Sequence, residues 1–196
     1  MKENLIRLFV LNNAAVDAAL QDARVAAGLN SDPTNVEEAL DRLLEDYIPQ
    51  FSGDLRAKAE RMARFYSLFY LIENDIRDLI EDTLEEAAGE NWWNTVVPPH
   101  VRESANKSRQ REIDNAVTLR SERMIDYITF GELGEIIKGN WDKFAGIFSK
   151  SNVPAVEKVM KSLNMLRGPI AHCGSLSEPE SVRLKLTIRD WFMLQE

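Results

Sequence analysis

Cysteine occurs only once in this chain, as Cys173, and histidine only twice. A single cysteine excludes a disulfide within the chain. The sequence also lacks a CxxC pair, an HExxH motif and a glycine-rich phosphate loop, so a metal enzyme or a P-loop enzyme is not expected. We therefore predict neither a cofactor nor a bound metal.

Long hydrophobic runs are also missing. The apolar stretch after Met1 is already broken by Arg7 and Asn12, whereas a membrane-spanning helix needs about 20 consecutive apolar residues. Neither a signal peptide nor a membrane span is indicated. The sequence predicts a cytoplasmic protein without a membrane contact.

The net charge of −8 argues against broad, nonspecific affinity for nucleic acid, because that affinity comes mainly from lysine and arginine on phosphates. The charge is unevenly distributed. Residues 1–100 carry 9 basic and 19 acidic side chains, whereas residues 101–196 carry 15 basic and 13 acidic ones. We expect any polyanion to contact the second half.

Apolar residues recur at helical spacing along almost the whole chain, and this pattern predicts an all-α fold. The longest periodic run, residues 54–88, predicts the central helix of a bundle and stops at Gly89. Two earlier helices are predicted over residues 3–27 and 34–48, the second starting with a capping box.

The predicted organisation is a helical bundle over residues 51–196 with an extra N-terminal helical pair, residues 1–50, as an appendage. Residues 182–189 alternate like a strand, but helix-start residues precede them and no partner strand exists, so we predict a helix. Trp92 and Trp93 are expected to pack a corner rather than to bind a ligand.

Residues 100–123 are polar and carry six basic side chains. The favoured interpretation is a solvated or partly disordered connection. The alternative is a strip that contacts RNA through Arg109, Arg111, Arg120 and Arg123.

The stretch LRGPIAHCG, residues 166–174, places Arg167 five positions before His172. In an ideal helix this spacing puts the two side chains about 140° apart. Pro169 cannot donate a backbone hydrogen bond, so the helix is expected to kink or restart there. Either a bend or a second subunit is then needed to bring the pair together.

A helix restart at Pro169 would leave the amides of Ile170 and Ala171 free to bind an anion. Such a site suits RNA cleavage without metal, with an imidazole that moves a proton and a guanidinium that stabilises the phosphorane. The alternative is a structural His172 that bonds a nearby carbonyl. Cys173 is expected to be a small buried side chain rather than a nucleophile.

Three segments in this order resemble the HEPN superfamily over residues 54–194. The Arg-x4-His element near the C-terminus, NMLRGPIAH, looks like the family's signature. An earlier helical segment, FYLIENDIR (residues 69–77), carries an internal acid and arginine, and YITFGELGEIIKGNW (residues 127–141) is similar to a stretch seen in one branch of the family.

The resemblance implies a homodimeric, metal-independent endoribonuclease of a toxin–antitoxin, phage-defence or RNA-processing system, with an antitoxin or regulatory protein as a further partner. Arg167 and His172 of two subunits would face each other across a cleft, with Glu73 as a third polar member. Gly168 stands where the family often has Asn, Asp or His. The alternatives are a catalytically silent module that binds a nucleotide, RNA or protein, and a purely structural dimerisation bundle.

Overall fold

The computed structural model describes Arg42 and residues 44–196. Every regular element in this part is a helix, which confirms the predicted all-α fold. The helices are α1 (Gly53–Ala88), α2 (Trp92–Val96), α3 (Pro99–Asp114), α4 (Phe130–Gly139), α5 (Trp141–Phe144), α6 (Val153–Ala171) and α7 (Glu178–Met193), with 3-10 turns at Ile48–Gln50 and Met124–Tyr127. Within these residues, no helix combines the length and apolar character that crossing a bilayer requires.

The chain divides after Arg56 into two compact units. Of the first unit, the structure describes Arg42 and residues 44–56. The predicted helix over residues 3–27 and most of the one over residues 34–48 lie outside the described residues. The separation of an N-terminal appendage therefore stays a prediction.

Helix α1 supplies a long apolar stripe to the core of the second unit. Its buried apolar side chains recur every three or four residues, as a helix with one core-facing side requires, and they are Phe69, Ile72, Ile76, Ile80 and Leu84. The helix ends before Gly89, whose φ of +78° lies in the left-handed region that glycine adopts without a Cβ clash. The predicted length of this helix is confirmed.

The C-terminal helices complete the bundle. Helix α6 packs against both α4 and α7. Leu184, Thr187 and Trp191 of α7 are buried, so the helix predicted through residues 182–189 is confirmed. The strand-like alternation arises because Val182 and Leu186, two residues either side of buried Leu184, are apolar but exposed.

The adjacent tryptophans pack the corner between α1 and α3, as predicted. Trp92 is buried, and the ring of Trp93 meets it edge-to-face with centroids 5.5 Å apart. Edge-to-face contacts of this kind stabilise packed aromatic pairs.

The prediction of a solvated or partly disordered connection over residues 100–123 is wrong for most of its length. Helix α3 occupies Pro99–Asp114 and is anchored by Val101 and Ala105, which lie one turn apart and are fully buried. Pro99 occupies the first turn, where its missing N–H costs no hydrogen bond. Two small apolar anchors therefore suffice to hold an otherwise polar helix.

Of the two outcomes expected at Pro169, a kink or a restart of the helix, the restart is wrong. Helix α6 continues through Pro169 to Ala171, and His172 is its C-cap residue. The His172 amide donates to the carbonyl of Gly168 over 3.1 Å. Because the helix ends here, the amides of Ile170 and Ala171 do not form an N-terminal anion site, and the terminus favours a cation instead.

Candidate functional site

Arg167 is held in place by a carboxylate from another helix. Its Nε donates to Glu73 Oε2 over 2.7 Å, and this contact joins α6 to α1. The Arg167 side chain keeps 36% of its surface exposed, whereas that of Glu73 keeps only 12%. Glu73 is therefore a largely buried partner of Arg167 rather than a solvated charge on the surface of α1.

The second oxygen of Glu73 binds a second guanidinium. Arg77, one helical turn further along α1, donates from Nη2 to Glu73 Oε1 over 2.6 Å. Arg77 is buried and also donates to the carbonyls of Ile125 and Ile128, over 3.3 and 3.4 Å. A buried charge of this kind is tolerated only when paired and hydrogen-bonded, and Glu73 and the two carbonyls meet that need.

The arrangement leaves one edge of the Arg167 guanidinium available. Glu73 contacts Nε, and among the residues that the structure describes the two Nη nitrogens of Arg167 have no hydrogen-bond partner. A guanidinium oriented through Nε can present its two Nη nitrogens to the oxygens of a phosphate.

Arg167 opens into a groove of about 360 Å³. Helix α1 contributes Tyr66, Tyr70, Glu73 and Asn74 to its walls, and Ile170 and Ala171 follow Arg167 along α6. Arg120, Ser121 and Asp126 close the third side from the loop after α3 and the 3-10 turn. Three separate segments of the chain thus converge on this groove.

His172 lies outside this groove. It is exposed at the C-terminal end of α6, next to Ala171, which does line the groove. Arg167 and His172 are thus close in sequence, but only Arg167 lines the groove within one chain. Their catalytic roles stay predictions.

Cys173 does not have the predicted burial. It is exposed and adopts a φ of +56°, which carries the chain away from the end of α6. The Gly174 amide then donates to the carbonyl of Pro169 over 2.7 Å and closes the turn. This left-handed backbone is strained for a residue other than glycine, and the hydrogen bond of Gly174 helps to hold it.

Of the four arginines proposed to contact RNA, only Arg120 reaches the groove. Its Nε binds Glu112, and its guanidinium lies 5.1 Å from the centre of the Tyr127 ring. Arg109 approaches Glu122 at 3.9 Å, and its Nε is buried without a partner among the described residues. Arg111 is exposed on α3.

Arg123, the fourth, is already bound to three carboxylates. Its guanidinium donates to Asp78, Glu81 and Asp126 over 2.7 to 3.1 Å. Burial alone would raise the pKa of Asp126, but hydrogen bonds from Arg123 and Ser121 outweigh it and hold that pKa below its usual range. Burial dominates at Glu81 and raises the pKa of its carboxyl. Arg123 therefore fastens the 3-10 turn to α1 rather than presenting a free charge.

The periodicity of the sequence did not single out Tyr66, Tyr70 or Asp126 as site residues. Tyr66 and Tyr70 are four residues apart on α1, a spacing that places them on one side of a helix. That spacing could have indicated that the two tyrosines share one side of the helix. Asp126 joins the groove through contacts between distant segments, which the local sequence around it does not reveal.

A larger groove of about 730 Å³ lies elsewhere, between α4, α6 and the start of α3. It contains the other histidine, His100, whose Nε2 is 2.7 Å from Glu135 Oε2. Neither Arg167 nor Glu73 reaches this groove. Charged side chains line both grooves, and we place the candidate site at the smaller one because it contains the Arg167–Glu73 pair.

Groups of three or more His, Cys, Asp or Glu side chains that could hold a metal ion are not found between residues 44 and 196. The candidate site is instead built from guanidinium, carboxylate and phenol groups.

Comparisons with known proteins agree with this architecture. A family model described as Swt1-like HEPN matches residues 67–194, from the middle of α1 to the end of α7. Comparisons with curated proteins and with solved structures found no match. The matched region contains Glu73, Arg167 and His172 and covers more than half of the chain. The chain therefore belongs to the Swt1-like HEPN family.

Proposed function

We propose that this protein is a metal-independent endoribonuclease. The observation that carries the proposal is the Arg167 guanidinium, which Glu73 holds through Nε while its Nη nitrogens remain available to a phosphate in the groove. A fixed cation aimed at a phosphate stabilises the charge that develops in the transition state. Family membership supports an activity of this class.

The reaction would proceed by attack of a ribose 2′-hydroxyl on the adjacent phosphorus. The His172 imidazole accepts the hydroxyl proton, Arg167 stabilises the phosphorane, and the P–O5′ bond breaks as the protonated imidazole gives that proton to the departing O5′. The products are a 2′,3′-cyclic phosphate and a 5′-hydroxyl. DNA lacks the nucleophile and is not a substrate.

A homodimer supplies the histidine in this proposal. Helix α6 runs uninterrupted from Arg167 through Pro169, and the two side chains stand about 140° apart on an ideal helix. Within one chain Arg167 lines the groove and His172 does not. His172 of the partner subunit is then the group that reaches the phosphate on Arg167.

A silent binding module is the second candidate, favoured by one specific observation. Gly168 follows the arginine and has no side chain that could help position a substrate or a proton. In this alternative the groove binds a nucleotide, RNA or protein and the chain acts as a regulator. The proposed toxin–antitoxin, defence or RNA-processing setting, and an antitoxin partner, apply to either candidate.

The decisive experiment is cleavage of single-stranded RNA in EDTA. We expect His172→Ala to abolish cleavage and Arg167→Ala to reduce it sharply, each by roughly 10²–10⁴-fold. His100→Ala is the matched control, because it removes the other histidine from the other groove. Circular dichroism checks that each variant remains helical.

The nuclease proposal fails if wild-type protein cleaves no RNA, or if His172→Ala cleaves as well as wild type. Loss of activity in His100→Ala to the same extent would also contradict the assignment of the site. Saturable RNA binding without cleavage would support the binding module.

A further inference from the structure

Two tyrosines form an exposed aromatic surface beside Arg167. Tyr66 and Tyr70 lie one turn apart on α1, each 59% exposed, with ring centroids 6.4 Å apart and planes tilted by 34°. Both line the groove that contains Arg167. The fold does not bury them, since the core-facing stripe of α1 is formed by Phe69 and Ile72 instead.

The charges around these rings favour an anionic ligand. The groove is lined by three guanidinium groups and two carboxylates. Arg77 is buried and paired with Glu73, and Arg120 is paired with Glu112. The Nη nitrogens of Arg167 have no hydrogen-bond partner among the described residues, so Arg167 is the group that an anion in this groove can contact.

Aromatic faces next to guanidinium groups match the chemistry of an unpaired nucleotide. Bases of single-stranded nucleic acid stack on aromatic side chains while basic groups follow the backbone. The groove volume of about 360 Å³ lies at the lower end of the roughly 300–1,000 Å³ typical of small-ligand sites. A paired base inside a duplex has no free face for such stacking.

We propose that Tyr66 and Tyr70 form a stacking site for an unpaired RNA base whose phosphate lies on Arg167. The proposal rests on the nuclease function above and defines its substrate as single-stranded RNA. Because every base has a stacking face, the site selects for strandedness more than for sequence. A protein segment is the competing occupant, and the guanidinium groups at the groove favour the nucleotide.

The test is binding of a short single-stranded RNA that carries 2-aminopurine, measured on His172→Ala protein so that the RNA remains intact. We expect Tyr66→Leu and Tyr70→Leu each to weaken binding by about 5- to 150-fold, the loss that corresponds to one stacked base. The stacking-induced quenching of 2-aminopurine should also diminish. Tyr66→Phe and Tyr70→Phe keep the ring and should retain binding and quenching.

Leu71→Ala is the control on the same helix, since Leu71 is 66% exposed and does not line the Arg167 groove, although it lines an adjacent groove that shares Tyr70. The proposal is overturned if both leucine variants bind RNA as tightly as the His172→Ala protein that keeps both tyrosines. It is also overturned if Leu71→Ala weakens binding equally, or if the leucine variants lose a protein interface instead, seen as dissociation of the dimer.

The same variants separate this proposal from the nuclease function. If wild-type protein does not cleave RNA but tyrosine-dependent binding persists, the nuclease function fails and the stacking site stands. If wild-type protein cleaves single-stranded RNA and both leucine variants cleave it with unchanged KM, the stacking site fails and the nuclease stands.

Discussion

Glu73 holds two positively charged groups of the groove at fixed positions. One carboxylate binds Arg77 through Oε1 and Arg167 through Oε2, so it separates two guanidinium groups that would otherwise repel each other. Arg77 is fastened by backbone carbonyls as well, whereas Arg167 has Glu73 as its polar anchor in the described residues. Glu73 is therefore a positioning residue for Arg167, and its loss should affect orientation more than affinity.

Glu73→Gln tests this positioning role. The amide keeps the size of the side chain but removes the charge, so Arg167 loses its fixed orientation while the groove becomes more positive. We expect the kcat of RNA cleavage to fall by roughly 10–100-fold, as for other small misplacements of a reacting group, with KM unchanged or lower. Steady-state kinetics on single-stranded RNA measures kcat and KM separately and so tests this expectation.

Glu86→Gln on the exposed surface of α1 is the control for Glu73→Gln. A KM that rises while kcat stays constant would show that Glu73 supports substrate binding alone. A double variant with Arg167→Lys should lose less than the sum of the two single effects, because both act on one contact.

At the scale of elements, the 3-10 turn Met124–Tyr127 is fastened to α1 by ion pairs rather than by a large apolar surface alone. Asp126 accepts hydrogen bonds from Arg123, which also binds Asp78 and Glu81 of α1. Arg77 approaches Asp126 at 3.7 Å. This cluster positions Ser121 and Asp126 at the wall of the groove.

Asp126→Asn should destabilise the fold in a pH-dependent way. The folded-state pKa of Asp126 is lowered, so its contribution to stability is fully present above the unfolded pKa and is lost as pH falls through the folded pKa. We expect the variant to lose about 1–2 kcal/mol at neutral pH, a modest value because Arg123 is partly exposed.

Urea denaturation at neutral and at acidic pH measures this difference, with Asp190→Asn as the exposed control. The difference between wild type and Asp126→Asn should shrink toward acidic pH. A difference that stays constant down to acidic pH would contradict the role of the charged carboxylate.

Some helices and contacts of this fold could be predicted from the sequence, and others could not. Gly89 marked the end of α1, and the helix-start residues before α7 correctly outweighed its strand-like alternation, because both signals are local. Helix α3 was missed because its apolar anchors are only Val101 and Ala105. The contact between Glu73 and Arg167 spans 94 residues, and neither spacing nor propensity specifies which distant side chains will meet.

Pro169 gave a misleading local signal for a physical reason. Proline removes one helical hydrogen bond and crowds the preceding turn, which led us to predict a kink or a restart. Helix α6 continues past it for only two residues, so only the last part of the helix bears this cost, and packing of Leu166 and Ile170 into the core offsets it.

For the whole molecule, the match to the family begins at residue 67, so residues 1–66 lie outside it. We keep the proposal that residues 1–50 form a separable appendage. The proposed activity, in contrast, depends on a second copy of the chain, since the groove of one chain contains Arg167 without His172.

Helix α6 offers a specific surface for this second copy. Met165 and His172 are seven residues apart and so lie about 20° apart on an ideal helix. Met165 is a largely exposed apolar side chain, with 78% of its surface accessible, and it lies about two helical turns before His172 on the same side of α6. A two-fold axis near this surface would bury the methionine of each copy and place each His172 at the interface. Arg167 lies about 160° from Met165 around the same helix, so the partner's His172 must reach it around the C-terminal end of α6.

Light scattering should therefore report a mass of about 44.8 kDa at micromolar concentration, twice the chain mass of 22.4 kDa. Met165→Glu should shift the protein toward the monomer, because a two-fold interface brings two like charges together there, and RNA cleavage should fall in parallel with the dimer fraction. Val117→Glu is the control, since Val117 is 58% exposed in the loop after α3. A strictly monomeric wild type that still cleaves RNA would rule out the shared site, and an active Met165→Glu dimer would move the interface to another surface.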